Sequence, residues 1–249
     1  PRLQKSGVED LKLAIRAELA SGGLLNAGKV GRDPIFTDKE TLSVEREVIT
    51  AYRQARSGAG SDLAALRREQ RDPEKALARS LADTSLTEGQ RDAVVTALTG
   101  SSRFVGVQGS AGTGKTFMVE TLKRYGERAG YGFDGLAPSG RAVAALSEAL
   151  PGATTLQSWL TQIRAGNNPG AEDNTRRILV IDEAGMISAR DMRDLMQFTN
   201  RVGYARVVLI GDTKQLDAVE AGQPFQQLQK AGMPTAIMAD IQRQRTDEG

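Results

Sequence analysis

Apolar positions recur along this chain with two different periods, and the change from one to the other falls near residue 86. Before it, Val8, Leu11, Ile15 and Leu19 fall on one face of a helix that stops at Ser21-Gly22-Gly23. Thr37 or Asp38 can cap a second helix, on which Val44, Val48 and Tyr52 recur every four residues until SGAGS at 57–61 interrupts it. Asp72-Pro73 supplies a cap followed by a first-turn proline, with Leu77 and Leu81 on one face. The Gly/Ser segment reads as a solvated inter-helix loop or as a hinge within this region. Without a β-rich run, residues 1–85 are expected to form a small, mainly helical N-terminal region.

From Leu86 onward short apolar runs alternate with amphipathic stretches. Strands are predicted near 104–108, 132–137, 177–182, 205–210 and 235–239, and helices near 89–99, 115–129, 140–149, 188–199 and 222–231. This alternation predicts an α/β fold, a parallel sheet covered by helices on both faces. AGNNPGAEDN at 165–174 reads as an exposed loop. No repeat with a period of 20–50 residues is evident.

Composition narrows the chemistry more than the fold. The 249 residues, 39% hydrophobic and 26% charged, suffice for one sizeable α/β core with an appendage. No run of about 18 apolar residues exists, and the start PRLQKSGVEDLKL has no signal-peptide character, so a soluble cytoplasmic protein without membrane insertion is expected. The first residue is not Met, which suggests a fragment. There is no Cys and no His, so disulfides, thiolate nucleophiles, imidazole bases and ordinary zinc sites are excluded in this chain. Carboxylates, Lys, Arg, hydroxyls and a hydrated metal remain. A formal charge of +2 permits a nucleic-acid partner without requiring one.

Within FVGVQGSAGTGKTFMVETLKR at 104–124, Gly109-Ser110-Ala111-Gly112-Thr113-Gly114-Lys115-Thr116 matches the phosphate-binding loop GxxxxGK[ST] between a strand and a helix. Glycine lets the backbone curl its N–H groups round phosphate oxygens, and the helix N-terminus adds favourable partial charge. Lys115 would reach the β- and γ-phosphates, and the Thr116 hydroxyl would ligate Mg²⁺. The competing explanation is a glycine-rich turn with no ligand.

A second requirement is an acid that orders the metal. Ile178-Leu179-Val180-Ile181-Asp182-Glu183 offers one at the end of a buried strand, where parallel α/β sheets build their sites. Asp182 would hold the Mg²⁺ shell, and Glu183 would orient and deprotonate the attacking water; alternatively the pair merely caps the next helix. A third strand, Val207-Val208-Leu209-Ile210, runs into Gly211-Asp212-Thr213-Lys214-Gln215-Leu216, where the Gln215 amide suits sensing a γ-phosphate, or belongs to a polar turn.

Taken in order, GSAGTGKT, APSGRAVAAL, TLQSWL, LVIDEAGMI, LIGDTKQL and IQRQR resemble motifs I, Ia, Ib/Ic, II, III and IV of superfamily 1 helicases of the RecD-like branch. The set is especially similar to the helicase portion of conjugative relaxase-helicases of the TraI type, and covers about residues 86–245; FTDKETLSVEREVI at 36–49 resembles, more weakly, the segment before the motor. The resemblance implies a RecA-like P-loop NTPase domain over 86–249 that uses ATP and Mg²⁺ and acts as a 5′-to-3′ DNA helicase on single-stranded DNA.

It also implies further roles. Leu86-Thr87-Glu88-Gly89-Gln90 looks like the adenine-reading Q motif, with Gln90 on the base edge; Thr87 and Gln90 also have the spacing of a capping box, which competes with that role or holds together with it. Arg243, in Gln242-Arg243-Gln244, matches the motif IV arginine that approaches the γ-phosphate, a surface arginine being the alternative. For the DNA track, family position indicates Pro138, Ser139, Gly140 and Arg141 in motif Ia, and Thr155, Gln157, Ser158 and Trp159 in motif Ib/Ic. Trp159 either stacks on a base or packs in the core.

The family's second RecA-like domain, with motifs V and VI, would follow residue 249. The chain is therefore expected to be the first lobe of a truncated motor with little unwinding activity alone, partnered by single-stranded DNA, the missing lobe and the conjugation machinery. Alternative readings are a GTPase, disfavoured because no NKxD segment is found, a non-catalytic single-stranded-DNA-binding module, and the RecD-type subunit of a recombination nuclease.

Overall fold

All five apolar runs predicted as strands pair in one parallel sheet, and a two-residue strand extends it. The computed structural model describes residues 2–30, 33–57, 72–82, 84–169, 174–213 and 223–239. Among these, the strands are β1 (Leu24–Val30), β2 (Asp33–Asp38), β3 (Phe104–Gly109), β4 (Gly132–Ala137), β5 (Thr154–Thr155), β6 (Arg177–Ile181), β7 (Arg206–Gly211) and β8 (Thr235–Met238). The helices are α1 (Arg2–Ser21), α2 (Lys39–Ser57), α3 (Pro73–Leu81), α4 (Glu88–Thr99), α5 (Lys115–Arg128), α6 (Gly140–Ala149), α7 (Leu156–Arg164), α8 (Ala189–Val202) and α9 (Pro224–Lys230).

The sheet order is β5-β4-β6-β7-β3-β8, parallel throughout. Residues 178–181 and 207–210 are completely buried, which explains why these strands read as continuous Val/Ile/Leu runs rather than alternating ones. One face packs against α3, α4, α5 and α6 through residues such as Leu81, Leu98, Met118 and Leu146. The other packs against α7, α8 and α9, with α2 adding Val48, Ala51 and Tyr52. Burying these side chains supplies the main stabilising term, about 1.5–3 kcal/mol for each large one.

The helical N-terminal region thus shares both hydrophobic layers with the sheet. Its caps match the sequence expectation: Asp38 Oδ1 accepts the Thr41 backbone N–H at 2.7 Å and Asp72 Oδ1 that of Lys75 at 3.0 Å. The hydrogen bond from the Thr41 N–H is the main reason the Asp38 carboxyl lies below its ordinary range. SGAGS at 57–61 falls outside the described residues after Ser57.

The N-terminal region is mainly helical, as expected, and two further features were not among the predicted elements. Within that region β1 and β2 form an antiparallel hairpin, with Leu25 opposite Thr37 and Asn26 opposite Phe36. Its strands carry Asn, Gly, Lys, Asp and Pro instead of an apolar alternation, so backbone pairing defines them and no period-2 signal existed. β5 and α7 were also absent from the predicted elements, although Leu156, Trp159, Leu160 and Ile163 have helical spacing and Thr155 caps the helix by accepting the Ser158 N–H at 3.2 Å.

Candidate functional site

Because the strands are parallel and in register, their C-terminal ends form one rim, on which the order of groups follows the order of strands. Ala137 pairs with Thr155, Leu136 with Ile181, Ile181 with Leu209, and Gln108 with Gly211. Along the rim, then, come Thr155, Pro138, Asp182, Asp212 and the loop from Gly109. The phosphate-binding loop leaves β3 at Gly109 and enters α5 at Lys115. Gly112 (φ 80°) and Gly114 (φ 74°) have left-handed conformations that residues with a Cβ rarely adopt, so the sequence's glycines are what allow the loop to curl. Thr113 is buried, and its hydroxyl donates to the Ser110 carbonyl at 2.9 Å, closing the loop on itself.

Opposite the loop stands the end of β6. The Asp182 N–H donates to the Leu136 carbonyl at 2.9 Å, and Asp182 Oδ1 accepts the Glu183 N–H at 2.8 Å. Glu183 has φ 52° and ψ 40°, the one left-handed non-glycine conformation among the described residues. Such a backbone costs on the order of 1–2 kcal/mol. A 3₁₀ turn, Ala184–Met186, follows directly. With this bend, Glu183 Oε1 lies 3.6 Å from Lys115 Nζ, both side chains being largely shielded. Lys115, Thr116 and Asp182 line one cavity. Glu183 therefore points toward the loop lysine, and Asp182 lines a small cavity with it.

This donor set fits a polyphosphate with a divalent cation. It offers one ammonium, one hydroxyl, two carboxylates and a glycine loop at a helix N-terminus. No group of three or more His, Cys, Asp or Glu residues placed to hold a metal ion occurs among the described residues.

The remaining sequence candidates divide sharply. Gln90 is completely buried. Its Oε1 accepts the Thr87 N–H at 3.0 Å, its N–H reaches Thr87 Oγ1 at 3.3 Å, and its Nε2 donates to the Thr113 carbonyl at 2.9 Å and the Gly114 carbonyl at 3.4 Å. The capping-box alternative is thus present, and the same amide props the phosphate loop from behind. Nε2 is engaged by the loop and Oε1 by the Thr87 N–H, the oxygen retaining one acceptor site.

At the other half of the rim, Ser139 caps α6 by accepting the Ala142 N–H at 3.3 Å, and Ser139, Gly140 and Arg141 are exposed beside half-buried Pro138. Gln157 and Ser158 are exposed at the start of α7, next to Thr155, so two helix N-termini lie side by side. The Gln157 amide donates to Asp191 Oδ2 at 2.7 Å. Trp159 is corrected to the core alternative: it is 4% exposed and packs edge-on against Phe198 at 5.0 Å between ring centres, so its ring is not displayed to a base. Gln215 and Arg243 lie outside the described residues.

The structure also brings in residues that motif reading passed over. Gln108 Nε2 donates to Asp212 Oδ1 at 2.9 Å, while Gln108 Oε1 accepts the Thr213 N–H at 3.3 Å and Gln229 Nε2 at 3.2 Å. The available signal was a lone polar residue ending the apolar run FVGV immediately before the loop.

Comparison with known proteins places this geometry in a family. Residues 85–249 match the family described as AAA domain. The chain is 36% identical over 164 residues to the conjugal transfer protein TraA of Agrobacterium fabrum strain C58, covering 65% of this chain and 14% of that protein. It is 37% identical over 168 residues to the multifunctional conjugation protein TraI of Escherichia coli K12, covering 64% and 9%, and 31% identical over 144 residues to the ATP-dependent RecD2 DNA helicase of Deinococcus radiodurans, covering 57% and 20%. The match therefore spans between a tenth and a fifth of these longer relatives. No described helix is long and apolar enough to cross a membrane. With a parallel sheet, a phosphate loop and converging acids on one rim, the chain belongs to the AAA domain family as a RecD-like superfamily 1 helicase domain.

Proposed function

We propose that this chain is the nucleotide-binding lobe of an ATP-dependent 5′-to-3′ DNA helicase, binding ATP with Mg²⁺ at the loop and single-stranded DNA along the β4–β5 half of the rim. The observation that carries the reading is the 3.6 Å approach of Lys115 Nζ to Glu183 Oε1, with Thr116 and Asp182 on the same cavity. In this reading Lys115 neutralises the terminal phosphates, Thr116 and Asp182 hold the cation, and Glu183 takes the proton of the attacking water. Bound Mg²⁺ supplies charge neutralisation across the phosphates.

DNA binding is supported by the exposed Ser139–Arg141 and Gln157–Ser158 segments at adjacent helix N-termini, groups suited to phosphate oxygens and therefore indifferent to base sequence. Gln215 and Arg243 are proposed as γ-phosphate sensor and motif IV arginine on motif position alone. ATP as the nucleotide and the direction of travel rest on the likeness to the RecD-like branch, including a relative named as an ATP-dependent DNA helicase. A role in conjugal DNA transfer rests on the relatives named for that process.

Unwinding calls for a second lobe, since a nucleotide does work only through different affinities for two arrangements of the protein. The deciding experiment measures ATP and GTP turnover by this chain, with and without single-stranded DNA, beside a version extended by about 200 residues, roughly one more domain. Stimulated ATP hydrolysis is expected, with unwinding only in the longer form. DNA binding with no turnover by either form would instead assign a binding module.

A further inference from the structure

The Gln108 side chain joins three segments that the nucleotide reading treats separately. Its own residue precedes Gly109, the first of the phosphate loop. Asp212 and Thr213 follow β7, and Gln229 belongs to α9. A carboxylate only accepts, so the amide must turn Nε2 toward Asp212 and Oε1 toward the Thr213 N–H and Gln229. Asp212 is 6% exposed, and the bond to it is partly shielded from water. Asp212 also abuts the turn after Glu183: a Cβ built on Gly185 would lie 2.8 Å from the Asp212 carbonyl. The root of the loop and the departure of β7 thus meet at one amide and one carboxylate, and the turn carrying the acid abuts the backbone of the same Asp212.

We propose that Gln108 is a positioning residue that transmits occupancy of the phosphate loop to Asp212–Thr213 and α9. The proposal rests on the nucleotide-binding reading above. Gln108 touches no nucleotide in this reading; it acts by fixing the segment that leaves β7 relative to the loop. An apolar residue at 108 would fill the space but leave the Asp212 carboxylate without the Gln108 donor and the Thr213 N–H without its acceptor, so the three segments would shift independently.

The test exploits the polarity of the network. Gln108→Glu sets two carboxylates against each other, and Gln108→Leu removes every bond. In the double variant Gln108→Glu/Asp212→Asn donor and acceptor exchange places: the new amide donates to the new carboxylate, which still accepts from Thr213 and Gln229. Hydrogen exchange at the Thr213 amide is measured with and without Mg²⁺ and the non-hydrolysed analogue adenylyl imidodiphosphate, whose binding is followed by calorimetry. Thermal melts establish that each variant is folded.

The analogue is expected to slow Thr213 exchange roughly tenfold in the parent chain and the double variant, and by less than about twofold in both single variants, with its affinity altered no more than about threefold. Equal protection in Gln108→Glu and the parent chain would overturn the proposal, as would a folded double variant that fails to recover it. Analogue binding without ATP turnover in the parent chain would count against hydrolysis alone and leave this test intact. No binding by the parent chain would remove both.

Discussion

Lys115 Nζ and Glu183 Oε1 lie 3.6 Å apart although the strands that deliver them, β3 and β6, are separated in the sheet by β7. The gap is closed by the loop and helix start on one side and by the left-handed bend at Glu183 on the other. The two residues should then fail differently. Glu183→Gln retains shape and is expected to keep Mg²⁺–ATP binding while turnover falls by roughly 10²–10⁴-fold, the usual range for loss of a general base. Lys115→Ala should lose ATP binding and turnover but keep single-stranded-DNA binding. Calorimetry beside steady-state hydrolysis separates these outcomes; a Glu183→Gln chain that turns over normally would remove Glu183 from the chemistry.

The contact behind this site is backbone on backbone. A Cβ on Gly211 would lie 2.8 Å from the Gly185 nitrogen, and one on Gly185 would lie 2.8 Å from the Asp212 carbonyl. No side-chain rotation relieves either overlap. Gly185→Ala and Gly211→Ala are each expected to lower stability by about 1–3 kcal/mol, the typical cost of overpacking a filled interior. Urea unfolding midpoints at constant slope would measure it. A neutral Gly185→Ala would mean that the turn after Glu183 moves freely against β7.

For the proposed DNA face the expectation concerns salt. Arg141 is exposed at the first turn of α6, and a phosphate held there releases counterions on binding. Arg141→Ala should weaken single-stranded-DNA binding for all sequences alike and reduce the slope of log K against log salt by about 0.7, the value for one phosphate on a single strand. Fluorescence anisotropy with labelled oligonucleotides over a range of salt reads both. An unchanged slope would move the track elsewhere.

Trp159, the chain's one tryptophan, makes an internal reporter. Buried against Phe198, it should emit as a shielded indole and show no quenching on adding single-stranded DNA, in contrast to a ring stacked on a base. Trp159→Ala should destabilise by about 3–5 kcal/mol, the range for deleting a large buried aromatic. Strong quenching by DNA would return Trp159 to the binding face.

What could be read in the sequence was whatever has a period or a fixed spacing. The runs at 104–108, 132–137, 177–182, 205–210 and 235–239 became strands within a residue or two, most clearly at 177–182 and 205–210, where central parallel strands buried on both faces carry uninterrupted apolar side chains. The loop at 109–116 and the acids at 182–183 stand out in the sequence because each matches a fixed motif spacing at the end of a strand. The β1–β2 hairpin was not legible, since its apolar residues are interspersed with Asn, Gly, Lys, Asp and Pro without a period of two. Gln108 escaped for another reason: its partners at 212, 213 and 229 are more than a hundred residues away, and only the strand order brings them together. Trp159 had two readings in the sequence, and burial, which a motif does not encode, separated them; the capping box found at Gln90 is compatible with either of its readings.

Away from the site, Tyr204 gives the fold an alkaline limit. Its ring is buried, and its hydroxyl donates to Asp134 Oδ2 at 3.0 Å, while Arg177 pairs with the same carboxylate. Burial, aided by the Asp134 charge, raises the phenol above its ordinary value of 10.0. The sign follows from linkage. Below about pH 10 the phenol is neutral in both folded and unfolded chains and its contribution is complete. Above that, the unfolded chain releases a proton that the native state retains, so stability falls with rising pH by up to about 1.4 kcal/mol per unit until the raised native value is reached. Tyr204→Phe should cost about 1 kcal/mol at pH 8, where Asp134 keeps Arg177 as a partner, and should lose this part of the alkaline slope. Unfolding free energies of the parent chain and Tyr204→Phe at pH 8 and near pH 11 isolate the effect, because the other three tyrosines and the lysines titrate equally in both. The gap between the two proteins should narrow or reverse at high pH; a constant gap would show that Tyr204 ionises as readily in the native state as in the unfolded chain.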